Sequence, residues 1–217
     1  LQEEELDRPV EIPDADRFQP PPPAEPSADM VVKAADLLLG AKNPLIMAGR
    51  VFRAQADWDK RVRLAELLGA AVTTDFKSAA AFPTDHPLHV GLPSIHFRGP
   101  QLEALLVADV VLGLDWIDFG SVLKTAFGGD PVKPAVIHCS LDSYNHNGWS
   151  MDYYGLAPAD LRIQTEPDMA IGPILAVIEE RLGGKPRWDG TPKALARPTY
   201  PKLAERDAGD PITPLDI

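Results

Sequence analysis

Pro44-Leu45-Ile46-Met47-Ala48-Gly49 is a continuous apolar run closed by a glycine. A strand with one wet face alternates polar and apolar residues, whereas an unbroken apolar run suits a strand buried on both faces, as in a parallel sheet. Just upstream, Ser27 or Asp29 can cap a helix whose apolar positions Val31, Ala34, Ala35 and Leu38 recur at helical spacing, and Gly40 and Pro44 close it. Downstream, residues 54–68 read as a second helix with Trp58, Val62, Ala65 and Leu68 on one stripe and Gly69 just past its end. The strand Ala71-Val72-Thr73-Thr74 comes next, then a long loop from Asp75 to Gly99 and a helix from Gln101 to Val107. Residues 109–114, 135–140 and 161–165 read as further strands. A last helix, 168–181, carries Ile171, Ile174, Leu175 and Ile178 on its buried face. Strands alternating with helices predict an α/β fold: a doubly wound, mainly parallel sheet with helices on both faces, Rossmann-like.

The 217 residues are 45% hydrophobic, enough for one real core. Thirty-two acidic residues against 21 basic ones give a net charge of −11, which repels a nucleic-acid backbone. No run of 18 apolar residues occurs, so no membrane span is expected. Cys139 is the only cysteine, which excludes an internal disulfide and any cysteine-clustered metal site and fits a reducing cytoplasm. The ends differ from the middle. Residues 1–26 are acidic and Pro-rich, with Pro20-Pro21-Pro22-Pro23 favouring an extended stretch, and 183–217 are rich in Pro and Gly with little periodicity. The expected organisation is an interdomain linker over 1–26, an α/β domain over 27–182, and a linker toward a further domain over 183–217. The chain thus reads as the middle of a longer protein.

Five local sequences occur in order along the α/β region: residues 41–49 (AKNPLIMAG), 64–69 (LAELLG), 81–87 (AFPTDHP), 108–112 (ADVVL) and 137–142 (IHCSLD). With the Pro-locked loop from Ala81 to Gly91 they make the chain resemble the central domain of thiamine diphosphate-dependent decarboxylases and carboligases. Acetolactate synthase, benzoylformate decarboxylase and oxalyl-CoA decarboxylase are members. The resemblance implies a parent enzyme that decarboxylates a 2-keto acid and forms a homo-oligomer. Thiamine diphosphate and Mg²⁺ would sit between flanking N- and C-terminal domains, held by a glutamate and a Gly-Asp-Gly motif. No Gly-Asp-Gly triplet occurs in this chain, so the cofactor is not expected on it, and no residue of it is expected to be catalytic.

The same resemblance implies that some members hold FAD or ADP at the carboxyl ends of the central strands. Phosphates there would meet backbone amides at a Gly-rich turn, and ribose would meet a carboxylate. Gly49 keeps the tight turn, but Arg50 stands where a second glycine would let the backbone approach; its fork can hold a phosphate or an ion pair. Asp115 replaces an arginine expected near the nucleotide, Ser140 replaces an aspartate, and Asp142 is retained as a ribose partner or as the cap of the turn at 143–145. Glu166 stands near the last expected carboxylate, or caps the final helix. The changes at Arg50, Asp115 and Ser140 disfavour FAD and ADP alike and leave a structural domain as the reading. A ligand that prefers Asp115 and Asp118 is a further option.

His86, His89 and His96 lie close together, yet Pro83, Pro87 and Pro93 break any helix that would present them to a metal. His86 is expected to fix its own loop by hydrogen bonding. His138 reads as a satisfied strand-end histidine, and Cys139 as a small buried hydrophobe. A self-sufficient enzyme using Asp115, Asp118 and His138 lacks a nucleophile, base and orienter set. Tyr144, Trp149, Tyr153 and Tyr154 form an aromatic-rich stretch suited to packing on neighbouring domains.

Overall fold

The computed structural model describes residues 8–94, 96–142 and 155–193. Five parallel strands, β1 (Pro44–Ala48), β2 (Ala71–Thr74), β3 (Val110–Leu114), β4 (Ala135–Cys139) and β5 (Leu161–Ile163), lie in the order β2-β1-β3-β4-β5. The helices are α1 (Ala28–Gly40), α2 (Gln55–Leu68), α3 (Pro100–Val107), α4 (Phe119–Ala126) and α5 (Pro167–Leu182). The doubly wound α/β reading is therefore correct.

The pleat explains why the strands are apolar throughout. In β1, Ile46 and Ala48 face one core with α1, α2 and α5, while Leu45 and Met47 face a second core with α3 and α4. In β3, Val110, Leu112 and Leu114 join the first core and Val111 the second. Gly113 faces the second as well, and the absence of a side chain there admits the Phe119 ring, which would lie 2.7 Å from a Cβ. Ser27 caps α1 through Met30 N, and Gly69, left-handed at φ 60°, ends α2 as the sequence predicts.

Two readings need correction. The buried face of α2 is Arg61, Leu64, Ala65, Leu67 and Leu68, with Trp58 and Val62 only half-buried. The stripe is rotated because the helix buries an arginine, which hydropathy places outside. Helix α4 was not expected between β3 and β4. It is two turns long and begins at a left-handed Asp118 (φ 57°) whose side chain does not cap it, so it lacks the usual start signal.

The loop at 81–91 has a definite structural task. Leu88, His89 and Val90 are buried and run alongside β2: Val72 N donates to Leu88 O (2.9 Å) and Val90 N to Val72 O (2.8 Å). The loop thereby covers the open edge of the sheet. His86 fixes it as expected, its Nδ1 accepting from Leu88 N at 3.2 Å, so that the Nε2 proton faces Glu66 Oε1 at 3.5 Å. Residues 187–193 fold back on the body, with Arg187 N donating to Leu67 O and Lys193 N to Pro87 O, both at 2.9 Å.

Candidate functional site

A sheet of order 2-1-3-4-5 reverses its winding between β1 and β3, and the crevice outside the carboxyl ends of those strands is where such folds take ligands. The structure brings all five sequence-predicted residues to this place. Gly49 and Arg50 follow β1, Asp115 follows β3, and Ser140 and Asp142 follow β4. A crevice of about 370 Å³ is lined by Arg50, Val51, Phe52, Asp115, Leu141, Asp142, Glu166 and Pro167.

The polar groups are engaged with one another. Arg50 Nε meets Asp115 Oδ2 at 2.7 Å, and Nη2 meets Asp115 Oδ1 at 3.0 Å and Asp142 Oδ2 at 2.5 Å. Ser140 Oγ donates to Asp115 Oδ1 at 2.5 Å and accepts from Asp142 N at 2.9 Å. Burial of Arg50 acts to lower its pKa, but the charges and hydrogen bonds of Asp115 and then Asp142 outweigh it and raise the pKa above the ordinary arginine value. The backbone is closed too. Gly49 N donates to Leu114 O at 2.9 Å and Arg50 N to Asp115 O at 3.1 Å. A Cβ on Gly49 would lie 2.3 Å from Asp115 O, so only glycine fits. Asp115 itself holds φ 48°, a left-handed position that aspartate tolerates better than most residues.

Glu166 sits at the N-cap of α5 without capping it by its side chain. The turn at 143–145 proposed for Asp142, and the aromatics Tyr144, Trp149, Tyr153 and Tyr154, lie outside the described residues.

Two features beside the crevice escaped the sequence reading. Asp75 ends β2 in the position that Asp115 and Ser140 occupy after β3 and β4; its side chain is buried and accepts from Lys77 N (2.9 Å) and Ile117 N (3.0 Å). Burial raises its pKa against the opposing pull of those amides and of Lys77 and Arg50. The second is the buried pair Arg61–Asp168. Arg61 donates to Asp168, to Ala81 O (2.9 Å) and to Phe52 O (3.0 Å), and Asp168 Oδ2 accepts from Phe52 N at 2.6 Å. This pair ties the loop after β1 to α2, α5 and the loop at 81–91.

His138 and Cys139 close β4. His138 is buried, with Nδ1 3.3 Å from Arg162 Nη1; burial first and the Arg162 charge second lower its pKa to about 4 despite the opposing charge of Asp142. The imidazole is neutral at pH 7. Cys139 is fully buried, and burial followed by the charges of Asp115 and Asp168 raises its pKa to about 12, so it is no nucleophile. Among the described residues no three of His, Cys, Asp or Glu come together as a metal-ligand set, and no helix is long and apolar enough to cross a membrane.

Residues 31–148 match the family model described as the thiamine pyrophosphate enzyme central domain. The chain belongs to this family. Its relatives include acetolactate synthase from Mycobacterium avium, 28% identical over 80% of this chain, and sulfoacetaldehyde acetyltransferase from Rhodobacter capsulatus, 32% identical over 68% of it. This central domain spans about a quarter or less of those relatives, 25% and 21% of their lengths. Among solved structures it resembles benzoylformate decarboxylase from Polynucleobacter necessarius, with TM-score 0.58 and 19% identity over 97% of this chain and 36% of that one. It also resembles a thiamin diphosphate-dependent enzyme from Mycobacterium smegmatis, with TM-score 0.59 and 19% identity over 84% of this chain and 33% of that one. At these identities the structural likeness is one of fold.

Proposed function

We propose that this chain is the central scaffold domain of a thiamine diphosphate-dependent enzyme that decarboxylates a 2-keto acid and releases or transfers the resulting carbanion equivalent, as an acetolactate synthase does. The observation that carries this reading is the central-domain match over residues 31–148, together with acetolactate synthase relatives that extend well beyond the chain. The cofactor supplies the electron sink for decarboxylation, and protein groups bind and orient it. In this reading cofactor and metal lie on flanking domains before and after this one, as the family resemblance implies. Alone, the chain is inert; within the longer protein, a cytoplasmic homo-oligomer in this reading, it holds the flanking domains at fixed separation.

The physical support for a scaffold role lies in the crevice and its surroundings. Cys139 is held protonated, His138 is held neutral and faces an arginine, and the Arg50 carboxylate partners are committed to an ion pair. None of these groups is poised as a nucleophile or general base. The test is an assay of CO₂ release from pyruvate and other 2-keto acids by the longer protein, with and without thiamine diphosphate and Mg²⁺. The expected result is turnover that requires the cofactor. Absence of turnover on every 2-keto acid, with thiamine diphosphate shown to be bound, would contradict the assigned reaction class.

A further inference from the structure

The resemblance implies that some members of the family hold FAD or ADP at the carboxyl ends of the central strands, and the residues of this chain at that place do not fit such a group. We propose that the crevice is shut to dinucleotides by the chain's own side chains, and that the neutralised Arg50 decides this exclusion. The proposal concerns the crevice alone and holds whichever substrate the longer protein takes.

A diphosphate seated at a tight turn after β1 needs backbone N–H groups that point at it and a local excess of positive charge. Neither is available. The N–H groups of Gly49 and Arg50 already donate to Leu114 O and Asp115 O, carbonyls of the adjoining β3 segment. Asp115 O stands so close to Gly49 that the two backbones leave no gap at the turn. Among the described residues Arg50 is the one cation on the crevice wall, and it carries two carboxylates, Asp115 and Asp142. With Glu166 on the same wall the described lining is acidic on balance, and Glu166 Oε2 is a buried oxygen with no hydrogen-bond partner among the described residues. Phosphate oxygens would meet like charge. The ribose position fares no better, because the Ser140 hydroxyl already donates to Asp115 and accepts from Asp142 N.

The same contacts give Arg50 a positive task. A nucleotide lying across the strand ends would join the loops after β1, β3 and β4. Here Arg50 joins them, reaching from the first loop to Asp115 in the second and Asp142 in the third. The side chain is thus an internal stand-in for the bridging ligand, part of the chain and never released.

The experiment titrates ADP and FAD into the protein and reads binding by calorimetry together with the amide NMR signals of Gly49 and Arg50. The wild-type protein and an Asp115→Asn/Asp142→Asn double variant are compared, asparagine being tolerated in the left-handed region that Asp115 occupies. The wild type is expected to show no saturable shift of these signals up to about 1 mM ligand, the limit of weak specific binding. The double variant frees the guanidinium and is expected to gain affinity for ADP of about tenfold or more. An unchanged amide spectrum elsewhere controls for folding; should the double variant fail it, Asp142→Asn alone serves, with a smaller gain expected. Saturable micromolar binding of ADP or FAD by the wild type at these amides would overturn the proposal. So would a folded variant, with Arg50 freed, that gains no affinity.

Discussion

His138 shows how one position reports its surroundings. Its ring is buried beside Arg162, with Phe119 packed at a centroid distance of 5.1 Å, and its pKa falls from 6.5 to about 4. An unfolded chain therefore takes up a proton on this ring from about pH 6.5 downward, whereas the folded one resists until about pH 4. The contribution is complete above the unfolded value and is lost as pH falls through the window between the two. Its size is up to about 3 kcal/mol, the free-energy equivalent of that shift. The raised pKa of Asp75 works in the opposite direction at the acid end, so the histidine is best read directly. NMR titration of the His138 imidazole should give a midpoint near the folded value, and urea unfolding of a His138→Gln variant should show a flatter dependence between pH 4 and 6.5. A midpoint near 6.5 would refute the buried, neutral assignment.

At the scale of elements, the pair Arg61–Asp168 binds together parts of the chain that hydrophobic packing alone would leave loosely related. Arg61 sits on α2, Asp168 in the first turn of α5, and their hydrogen bonds reach the loop after β1 and the loop that seals β2. Both side chains are almost wholly enclosed, so removing one leaves the other charged and unpaired. Arg61→Leu or Asp168→Leu should each cost about 3–5 kcal/mol, and the double variant Arg61→Leu/Asp168→Leu should recover part of that loss. Chemical denaturation measures the energies, and hydrogen exchange at Val72 and Val90 should accelerate in the single variants if the edge-sealing loop depends on the pair. Losses that simply add in the double variant would show that the two residues act separately.

These two scales also show what the sequence makes legible. The strands were readable because burial on both faces erases alternation, and Pro44 to Ala48 is apolar at every position. Helix α1 was readable because Ser27 caps it and its apolar spacing is regular. The phase of α2 was not, because the buried residue that orients it is Arg61, whose partner Asp168 lies 107 residues away. Helix α4 was missed because a left-handed Asp118 starts it without a side-chain cap. At the crevice, departures from the family pattern pick out Arg50, Asp115 and Ser140, and Asp142 stands beside them as a retained carboxylate. That they would bond to one another could not be read from separate positions, since the contact depends on the parallel register that sets Ala48 beside Leu114 and Leu114 beside Cys139.

The whole molecule is a framework whose interior polar groups hold it together, and under the function proposed above the chemistry belongs to flanking domains. The most direct measurement is steady-state kinetics of the longer protein carrying Arg50→Ala, at a temperature where the variant is folded, beside its thermal unfolding. Removing the bridge between three loops should lower Tm by several degrees, since each 1 kcal/mol moves a domain of this size by about 2–4 °C. The account predicts that kcat and KM for the 2-keto acid stay within about twofold of the wild type, a change of under about 0.5 kcal/mol. A loss of kcat of about tenfold or more in the folded variant would contradict it, because Arg50 would then serve the reaction and not the frame.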